Sequence, residues 1–92
     1  MVNAFVLLKV EPAHIPEVTD ALTDIDGVAE VYSVAGEVDL IAIIRVRHHD
    51  DLAEVVTRRI SALEGIIETR TMIAFKAYSR HDLDAMFSIG TE

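Results

Sequence analysis

The sequence contains no cysteine, few basic residues and no long apolar run. Without cysteine, the chain can form no disulfide, no thiolate metal site and no cysteine nucleophile. Its apolar stretches, such as residues 40–44, are six residues or fewer, which is too short for a membrane-spanning helix. No basic segment precedes the first apolar residues, so we predict no signal peptide and expect a cytoplasmic protein.

Basic residues are scarce and unevenly placed. The 92 residues include 8 Lys and Arg against 16 Asp and Glu, which gives a net charge of −8. Lys9 is the only base among residues 1–44, which carry −7, whereas residues 45–92 carry −1. Nucleic acids and anionic membranes bind surfaces rich in Lys and Arg, so the charge argues against both as partners. With 51% hydrophobic residues, the chain is a folded domain and not a disordered acidic tail.

The first half of the sequence predicts a strand, a helix and a second strand. Residues 4–10 are rich in strand-forming residues, and Pro12 ends that pattern. The apolar residues that recur next at helical spacing are Ile15, Val18, Leu22 and Ile25. Pro16 fits the first turn of this helix, and Gly27 fits the position after its end. Residues 28–35 predict the second strand.

The second half repeats the same order. Residues 39–47 predict a third strand, and a second helix follows with Asp50 or Asp51 as its N-cap. The apolar stripe of this helix comprises Leu52, Val55, Val56, Ile60 and Leu63. Gly65 ends the helix, and residues 66–78 predict a fourth strand that has room for a bulge.

The C-terminal residues predict a short helix followed by a tail. Residues 79–82 resemble a capping box with Asp in the acid position. The apolar residues of the helix that it would start are Leu83, Met86 and Phe87. We therefore divide the chain into a domain over residues 1–78 and a C-terminal helix and tail over residues 79–92, with a subunit contact as the expected role of the helix.

The element order predicts an α+β fold of the ferredoxin-like type. Residues 26–30 and 64–68 have matching sequences, and each half reads strand, helix, glycine, strand. A βαββαβ chain of this kind forms a four-stranded antiparallel sheet from two split βαβ units. Strands 1 and 3 are then central, and strands 2 and 4 lie at the edges.

Both predicted central strands are apolar on both faces. In strand 1, Val6 and Leu8 alternate with Phe5 and Leu7, and strand 3 alternates in the same way over residues 40–46. Two helices can cover only one face, so the other would expose a large apolar patch. We therefore predict a homodimer that packs sheet against sheet, an assembly of the dimeric α+β barrel type. The alternative is that the C-terminal helix folds back and covers part of this face.

Three short motifs occur in order along the chain. Gly36-Glu37-Val38-Asp39 precedes the apolar third strand, Gly65-Ile66 follows the second helix, and Thr69-Arg70-Thr71 lies in the last strand. Over residues 4–78 this set resembles the effector-binding domain of the leucine-responsive and asparagine-operon regulators, the Lrp/AsnC family. Full-length members carry an N-terminal helix-turn-helix. The first predicted strand of this sequence begins by residue 4, so we expect the chain to be similar to the stand-alone domains of the family.

The resemblance implies an assembly and a ligand. Dimers of such domains associate into rings, often octamers, and small amino acids bind between the dimers. A stand-alone domain is then expected to act by associating with a full-length Lrp/AsnC regulator or another partner. The positions that the resemblance assigns to ligand binding are Gly36, Asp39, Thr69 and Thr71, with Tyr32 and Ser33 as weaker candidates.

The chemistry of these residues fits such a ligand, but each also has a structural explanation. Gly36 lets a carboxylate approach its backbone N–H, and it also suits a turn with positive φ. Asp39 can pair with an ammonium group or accept backbone hydrogen bonds in the turn. Thr69 and Thr71 offer hydroxyl groups, and they also have high strand propensity.

The histidines do not predict a metal site. His48 and His49 are adjacent, so in an extended segment their side chains point in opposite directions. His14 and His81 have no companion at helical spacing. We therefore predict no catalytic residue, no metal ligand and no cofactor, although the sequence leaves a spatially assembled triad open.

The leading hypothesis is a non-enzymatic module that binds an amino acid or a related small metabolite. One alternative is a small enzyme of the dimeric α+β barrel type, such as a monooxygenase or isomerase, since the fold is shared. Such enzymes need polar groups between sheet and helices, and the apolar strand residues offer none. A second alternative is a purely structural oligomerisation domain.

Overall fold

The structure, a computed structural model, describes residues 1–80. The predicted C-terminal helix with Leu83, Met86 and Phe87 lies outside the described residues. The described elements are β1 Val2–Val10, a 3-10 turn Pro12–His14, α1 Ile15–Thr23, β2 Val28–Ser33, β3 Leu40–Val46, α2 His49–Ala53 with a π-helical continuation Glu54–Ile60, and β4 Ile66–Ile73.

The four strands form one antiparallel sheet in the order β2-β3-β1-β4. The two central strands are β1 and β3, and the two helices follow the strands as the split βαβ repeat requires. At the centre of the sheet, Val6 pairs with Ala42 on one side and with Thr71 on the other. The ferredoxin-like prediction is therefore confirmed.

Two strands end earlier than the sequence predicted. β2 ends at Ser33 instead of Ala35, because Val34 already donates a hydrogen bond at 3.0 Å to the Asp39 carbonyl and closes the connection to β3. β4 ends at Ile73 instead of Tyr78. Within the described residues its neighbour is β1, and the Asn3 carbonyl of β1 still accepts a hydrogen bond at 2.9 Å from the Ala74 N–H. β1 begins one residue before Asn3, at Val2, so the pairing stops close to this end of the sheet.

Each edge strand contains one irregularity in its pairing. Lys9 pairs with Glu68 and Val10 with Ile66, so Ile67 is an extra residue in β4. The bulge expected in the fourth strand is thus confirmed. A corresponding shift at Ala29 interrupts β2. Bulges of this kind bend an edge strand and increase its twist.

The second helix differs from the prediction at its start and in its winding. His48 is the N-cap, with an extended backbone, whereas Asp50 and Asp51 lie within the first turn. Neither aspartate is the N-cap, because the helix begins at His49, only three residues after the end of β3. From Glu54 onward the helix is π-helical. In that winding residues five apart share a face.

The core lies between the helices and one face of the sheet. Its buried residues are Ala4, Val6, Leu8, Val10, Val18, Leu22, Leu40, Ala42, Ile44, Val46, Leu52, Val55 and Ile60. Within residues 1–80, none of the buried side chains is polar or charged. Burying such side chains contributes about 1.5–3 kcal/mol for each large aliphatic residue.

The other face of the sheet is not covered by any described element. Strand residues alternate between buried and more exposed along β1 and β3, as the two-faced pattern predicted. By strand alternation and pairing, this open face comprises Asn3, Phe5, Leu7, Lys9, Glu30, Tyr32, Ile41, Ile43, Arg45, Glu68, Arg70 and Met72. Its centre is apolar and its two ends are polar.

Candidate functional site

The connection between β2 and β3 turns at Gly36. This glycine has φ +139°, a backbone conformation that residues with a side chain rarely adopt. A Cβ placed there would meet no atom within 4 Å. The requirement for glycine is therefore conformational, as the turn explanation expected, and the space beside its backbone is open.

Asp39 joins this connection to the end of β1. Its backbone N–H donates to the Leu8 carbonyl at 2.9 Å, and its side-chain Oδ2 accepts a hydrogen bond from the Val10 N–H, also at 2.9 Å. The carboxylate thus binds the neighbouring strand, not the turn itself. Within residues 1–80, the second oxygen, Oδ1, has no hydrogen-bond partner.

The N–H groups between the two ends of the connection are unpaired. Val34 and Asp39 donate backbone hydrogen bonds, but residues 35–38 donate none within the described part of the chain. Consecutive free N–H groups attract anions. These N–H groups are therefore available to an external acceptor, and no protein atom fills the space beside Gly36.

A groove of about 580 Å³ lies next to the connection at one end of the open face. Its lining residues are Leu7, Lys9, Glu37, Val38, Glu68 and Arg70. Arg70 and Glu68 form an ion pair at 4.0 Å, and both are well exposed. We call this cavity the connection groove. Its lining includes two cationic side chains, Lys9 and Arg70, and two carboxylates, Glu37 and Glu68. This combination suits a small molecule that carries one positive and one negative group.

The site residues predicted from the sequence did not include Lys9, Glu37, Glu68 or Arg70. Lys9 carried a signal, because it is the only base among residues 1–44 and interrupts an apolar strand. Arg70 lies between the two selected threonines, and its position opposite Leu7 brings it to the open face. The pairing of β1 with β4 brings Lys9, Glu68 and Arg70 together, and the connection adds Glu37.

A single protomer does not gather the six predicted ligand residues. Thr69 and Thr71 pair with Leu8 and Val6, which places both on the helix-facing side of β4. β1 separates them from Asp39, and two strand spacings amount to roughly 10 Å.

Tyr32 and Ser33 lie in the strand at the opposite edge of the sheet. Ser33 pairs with Leu40 and so lies on the helix-facing side, just before the connection. Tyr32 pairs with Ile41 on the open face. Only Ser33, Gly36 and Asp39 are therefore near one another in the chain fold.

Tyr32 belongs to a polar cluster of its own. Its hydroxyl donates to Glu30 Oε2, and Arg45 lies 3.7 Å from Oε1 of the same carboxylate. The hydrogen bond and the charge of Glu30 raise the pKa of Tyr32 above its usual value of 10.0. Both oxygens of Glu30 are thus engaged.

Metal ligands do not cluster in the described part of the chain. Within residues 1–80, no group of three or more His, Asp and Glu side chains has a geometry that could hold a metal ion. His14 Nδ1 lies 3.4 Å from Glu11 Oε2. These two side chains alone are too few to hold a metal ion. No described helix is long and apolar enough to cross a membrane.

Comparison with known proteins identifies the family of this fold. The family model for the Lrp/AsnC ligand-binding domain matches residues 3–83. The chain belongs to this family. It is 32% identical over 76 residues to the uncharacterized HTH-type transcriptional regulator PF0250 of Pyrococcus furiosus. The match covers 79% of this chain and 51% of that protein.

A second curated relative is the HTH-type transcriptional regulator FL11 of P. furiosus. It is 31% identical over 75 residues, covering 82% of this Lrp/AsnC domain and 49% of that protein. The chain thus spans about half the length of the curated relatives it matches. These relatives are transcriptional regulators by name, which favours a regulatory domain over an enzyme.

Solved structures agree with the sequence comparison. TTHA0845 from Thermus thermophilus superposes with a TM-score of 0.83 at 41% identity, covering 87% of this Lrp/AsnC domain and 100% of that chain. AsnC of E. coli superposes with a TM-score of 0.78 at 24% identity, covering 85% of this chain and 53% of AsnC, and so supports the fold alone.

Proposed function

We propose that the chain is a sensor module that binds an amino acid or a related small metabolite and assembles through its sheet. The observation that carries this proposal is the connection groove, whose lining combines side chains of both charges with Glu37 and Val38, two residues of the connection whose N–H groups are unpaired in the described chain. A molecule with a carboxylate and an ammonium group has a partner there for each of them.

The carboxylate of the ligand has two kinds of partner. The N–H groups of residues 35–38 are unpaired in the described chain, and the absence of a Cβ at Gly36 leaves room for close approach. Lys9 and Arg70 add positive charge to the same groove. Charge-assisted hydrogen bonds of this type are about twice as strong as neutral ones.

The ammonium group of the ligand has a carboxylate partner at the edge of the connection. Asp39 uses Oδ2 to hold Val10, and we propose that Oδ1 accepts a hydrogen bond from the ammonium. Glu37 and Glu68 supply further negative charge. Asp39 then has two roles, one in the fold and one in the site.

Thr69, Thr71, Tyr32 and Ser33 remain proposed ligand residues of an assembly. One protomer separates them on two faces and two edges of its sheet. A site between dimers can combine residues from different copies. This is consistent with a ligand that binds only to the assembled protein.

We also propose that two copies pack their open faces together and that such dimers form a larger ring, with an octamer as the expected size. The support is the apolar centre of the open face, which includes Phe5, Ile41 and Ile43 and is covered by no described element. Soluble proteins rarely leave such a patch exposed. A full-length Lrp/AsnC regulator is the proposed partner of the assembly.

Calorimetry of the assembled protein against each common amino acid tests the sensor function. We expect at least one to bind, and Asp39→Asn to weaken that binding about tenfold, because the variant keeps an acceptor for Val10 but loses the charge. Thr57→Asn, an exposed substitution on the far side of the second helix, is the control and should bind normally. No binding by any amino acid would contradict the proposal.

A further inference from the structure

Three exposed apolar side chains lie close together at the end of β4 and just beyond it. Ile73 is 51% exposed, Phe75 is fully exposed and Tyr78 is 66% exposed. Single apolar side chains on a surface are common, but three within six consecutive residues form a patch. Ile73 pairs with Ala4 on the helix-facing side, so contact between two open faces does not by itself explain this patch.

The segment that follows β4 runs along the rim of the open face. We call residues 74–78 the arm. The Ala74 N–H donates to the Asn3 carbonyl at 2.9 Å, which fixes the start of the arm. Ala74, Lys76 and Ala77 line a groove of about 360 Å³, and all its other lining residues belong to the open face. A second copy packed against the open face would therefore meet the arm.

The arm has few contacts with the rest of its own protomer. Phe75 does not line this groove, although both of its neighbours in sequence do. The Lys76 ammonium lies 5.5 Å from the centre of the Tyr78 ring, which is a contact within the arm itself. Within residues 1–80, residues 75–78 donate no backbone hydrogen bond. The Phe75 ring and these N–H groups are therefore available to another chain.

We propose that the arm makes a reciprocal dimer contact, in which Phe75 of each copy is buried against the other copy. This contact rests on the proposed sheet-to-sheet dimer and extends it beyond the open faces. The sequence predicts a strand as far as Tyr78, whereas in one protomer the strand stops at Ile73. A second copy supplies the partner that these residues lack, and aromatic side chains are enriched in interfaces.

The other candidate to cover Phe75 is the same chain. Residues 81–92 follow the arm directly and lie outside the described residues. Burial of Phe75 by its own chain would be independent of protein concentration, whereas burial by a second copy requires the dimer and follows its concentration dependence. The two kinds of contact are therefore distinguishable on the full chain.

Phe75→Trp measures the burial directly, because the chain contains no tryptophan. As the concentration rises through the dimer dissociation constant, the emission of this variant should shift to the blue and acrylamide should quench it less. Thr57→Trp, at an exposed position of the second helix, is the control and should not change. Emission from Phe75→Trp that is red-shifted at every concentration, or blue-shifted at every concentration, would overturn the proposal.

Phe75→Ser measures what this burial contributes to the dimer. We expect the dimer dissociation constant to rise about 100-fold, which is about tenfold for each of the two copies of Phe75. Ile67→Ser removes a side chain that is 59% exposed near the other end of β4, and it should leave the constant unchanged. Sedimentation equilibrium measures both variants. An equal rise in both would show that the arm has no specific role and would overturn the proposal.

The outcomes separate the arm contact from the proposed function. If Ile43→Asp dissociates the dimer and Phe75→Ser leaves it unchanged, the arm contact is overturned and the sheet-to-sheet dimer stands. If the unsubstituted chain sediments as a monomer, the dimer and the arm contact are both overturned.

Discussion

The Asp39 carboxylate accepts a hydrogen bond from the backbone N–H of Val10 at 2.9 Å, across 29 positions of sequence. This contact extends the pairing of β1 with β3 into the connection that carries Gly36. It fixes the position of the unpaired N–H groups relative to the sheet. The same residue therefore links the stability of the fold to the geometry of the proposed site.

Replacing Asp39 in two ways should separate these roles. Asp39→Ala leaves the Val10 N–H without its acceptor, so we expect the free energy of unfolding to fall by about 1–2 kcal/mol. Asp39→Asn keeps an acceptor and should lose less stability. Urea unfolding followed by circular dichroism measures both values. Equal losses in the two variants would show that the hydrogen bond to Val10 is not what Asp39 contributes.

Gly65 should tolerate substitution less well than Gly36. Both have positive φ, so a Cβ at either position introduces backbone strain of about 1–3 kcal/mol. A Cβ at Gly65 would also lie 2.4 Å from the His14 Cβ, whereas the space at Gly36 is open. We expect the urea concentration at the midpoint of unfolding to be lower for Gly65→Ala than for Gly36→Ala.

The contact with His14 can be checked by a double mutant. His14→Gly removes the three atoms nearest to the added Cβ at Gly65, all of which belong to the His14 side chain. The losses of His14→Gly and Gly65→Ala should then be less than additive, because the first change relieves the clash caused by the second. Additive losses would show that backbone strain alone explains the effect of Gly65→Ala.

A charge at the centre of the open face should break the proposed dimer. Ile43→Asp would bury a carboxylate in the sheet-to-sheet interface, and we expect the dimer dissociation constant to rise at least about 100-fold. Thr57→Asp, on an exposed part of the second helix, is the matched control. Sedimentation equilibrium measures both. An unchanged dimer in folded Ile43→Asp would place the interface elsewhere.

Tyr32 should ionise at higher pH than an ordinary tyrosine. Glu30 accepts its hydrogen bond and repels the phenolate, so the pKa of Tyr32 lies above 10.0. Absorbance titration near the phenolate band in a Tyr78→Phe background observes Tyr32 alone, since the chain has two tyrosines. Glu30→Gln should bring the pKa down toward 10.0.

The same shift fixes a sign for stability. Because the pKa of Tyr32 is raised in the folded state, its contribution is complete below the unfolded pKa of 10.0 and is lost as pH rises through the folded value. Stability should therefore fall at alkaline pH, and less steeply in Glu30→Gln. The opposite order of slopes would contradict the assigned hydrogen bond.

Much of the fold could be predicted from local patterns. The alternation of Val6 and Leu8 with Phe5 and Leu7 is visible in the sequence, and it separates the buried face from the open one as found. The order of strands follows from the repeat of two βαβ units. Such features depend on period and residue type alone.

The winding of the second helix could not be predicted in this way. Val55, Val56 and Ile60 fit an α-helical stripe, yet the segment is π-helical and buries Val55 and Ile60 five residues apart. A π-helical segment is rare and departs from the period of 3.6 residues on which the predicted stripe was based. The premature ends of β2 and β4 likewise depend on pairing partners, which a single strand does not reveal.

The candidate site was only partly predictable for the same reason. Gly36 and Asp39 are close in sequence, so their turn carries a local signal. Lys9 and Arg70 become neighbours only through the pairing of β1 with β4, and Thr69 and Thr71 lie on the opposite face from Arg70. Strand alternation predicts which residues share a face of the sheet, but it does not predict which face binds a ligand.

The most direct test of the sensor function is a crystal structure of the assembled protein grown with a pool of common amino acids. We predict density for one of them in the connection groove, with its carboxylate toward the N–H groups of residues 35–38 and its ammonium toward Asp39. An empty connection groove, in a crystal of protein that binds the same amino acid in solution, would contradict the proposed site.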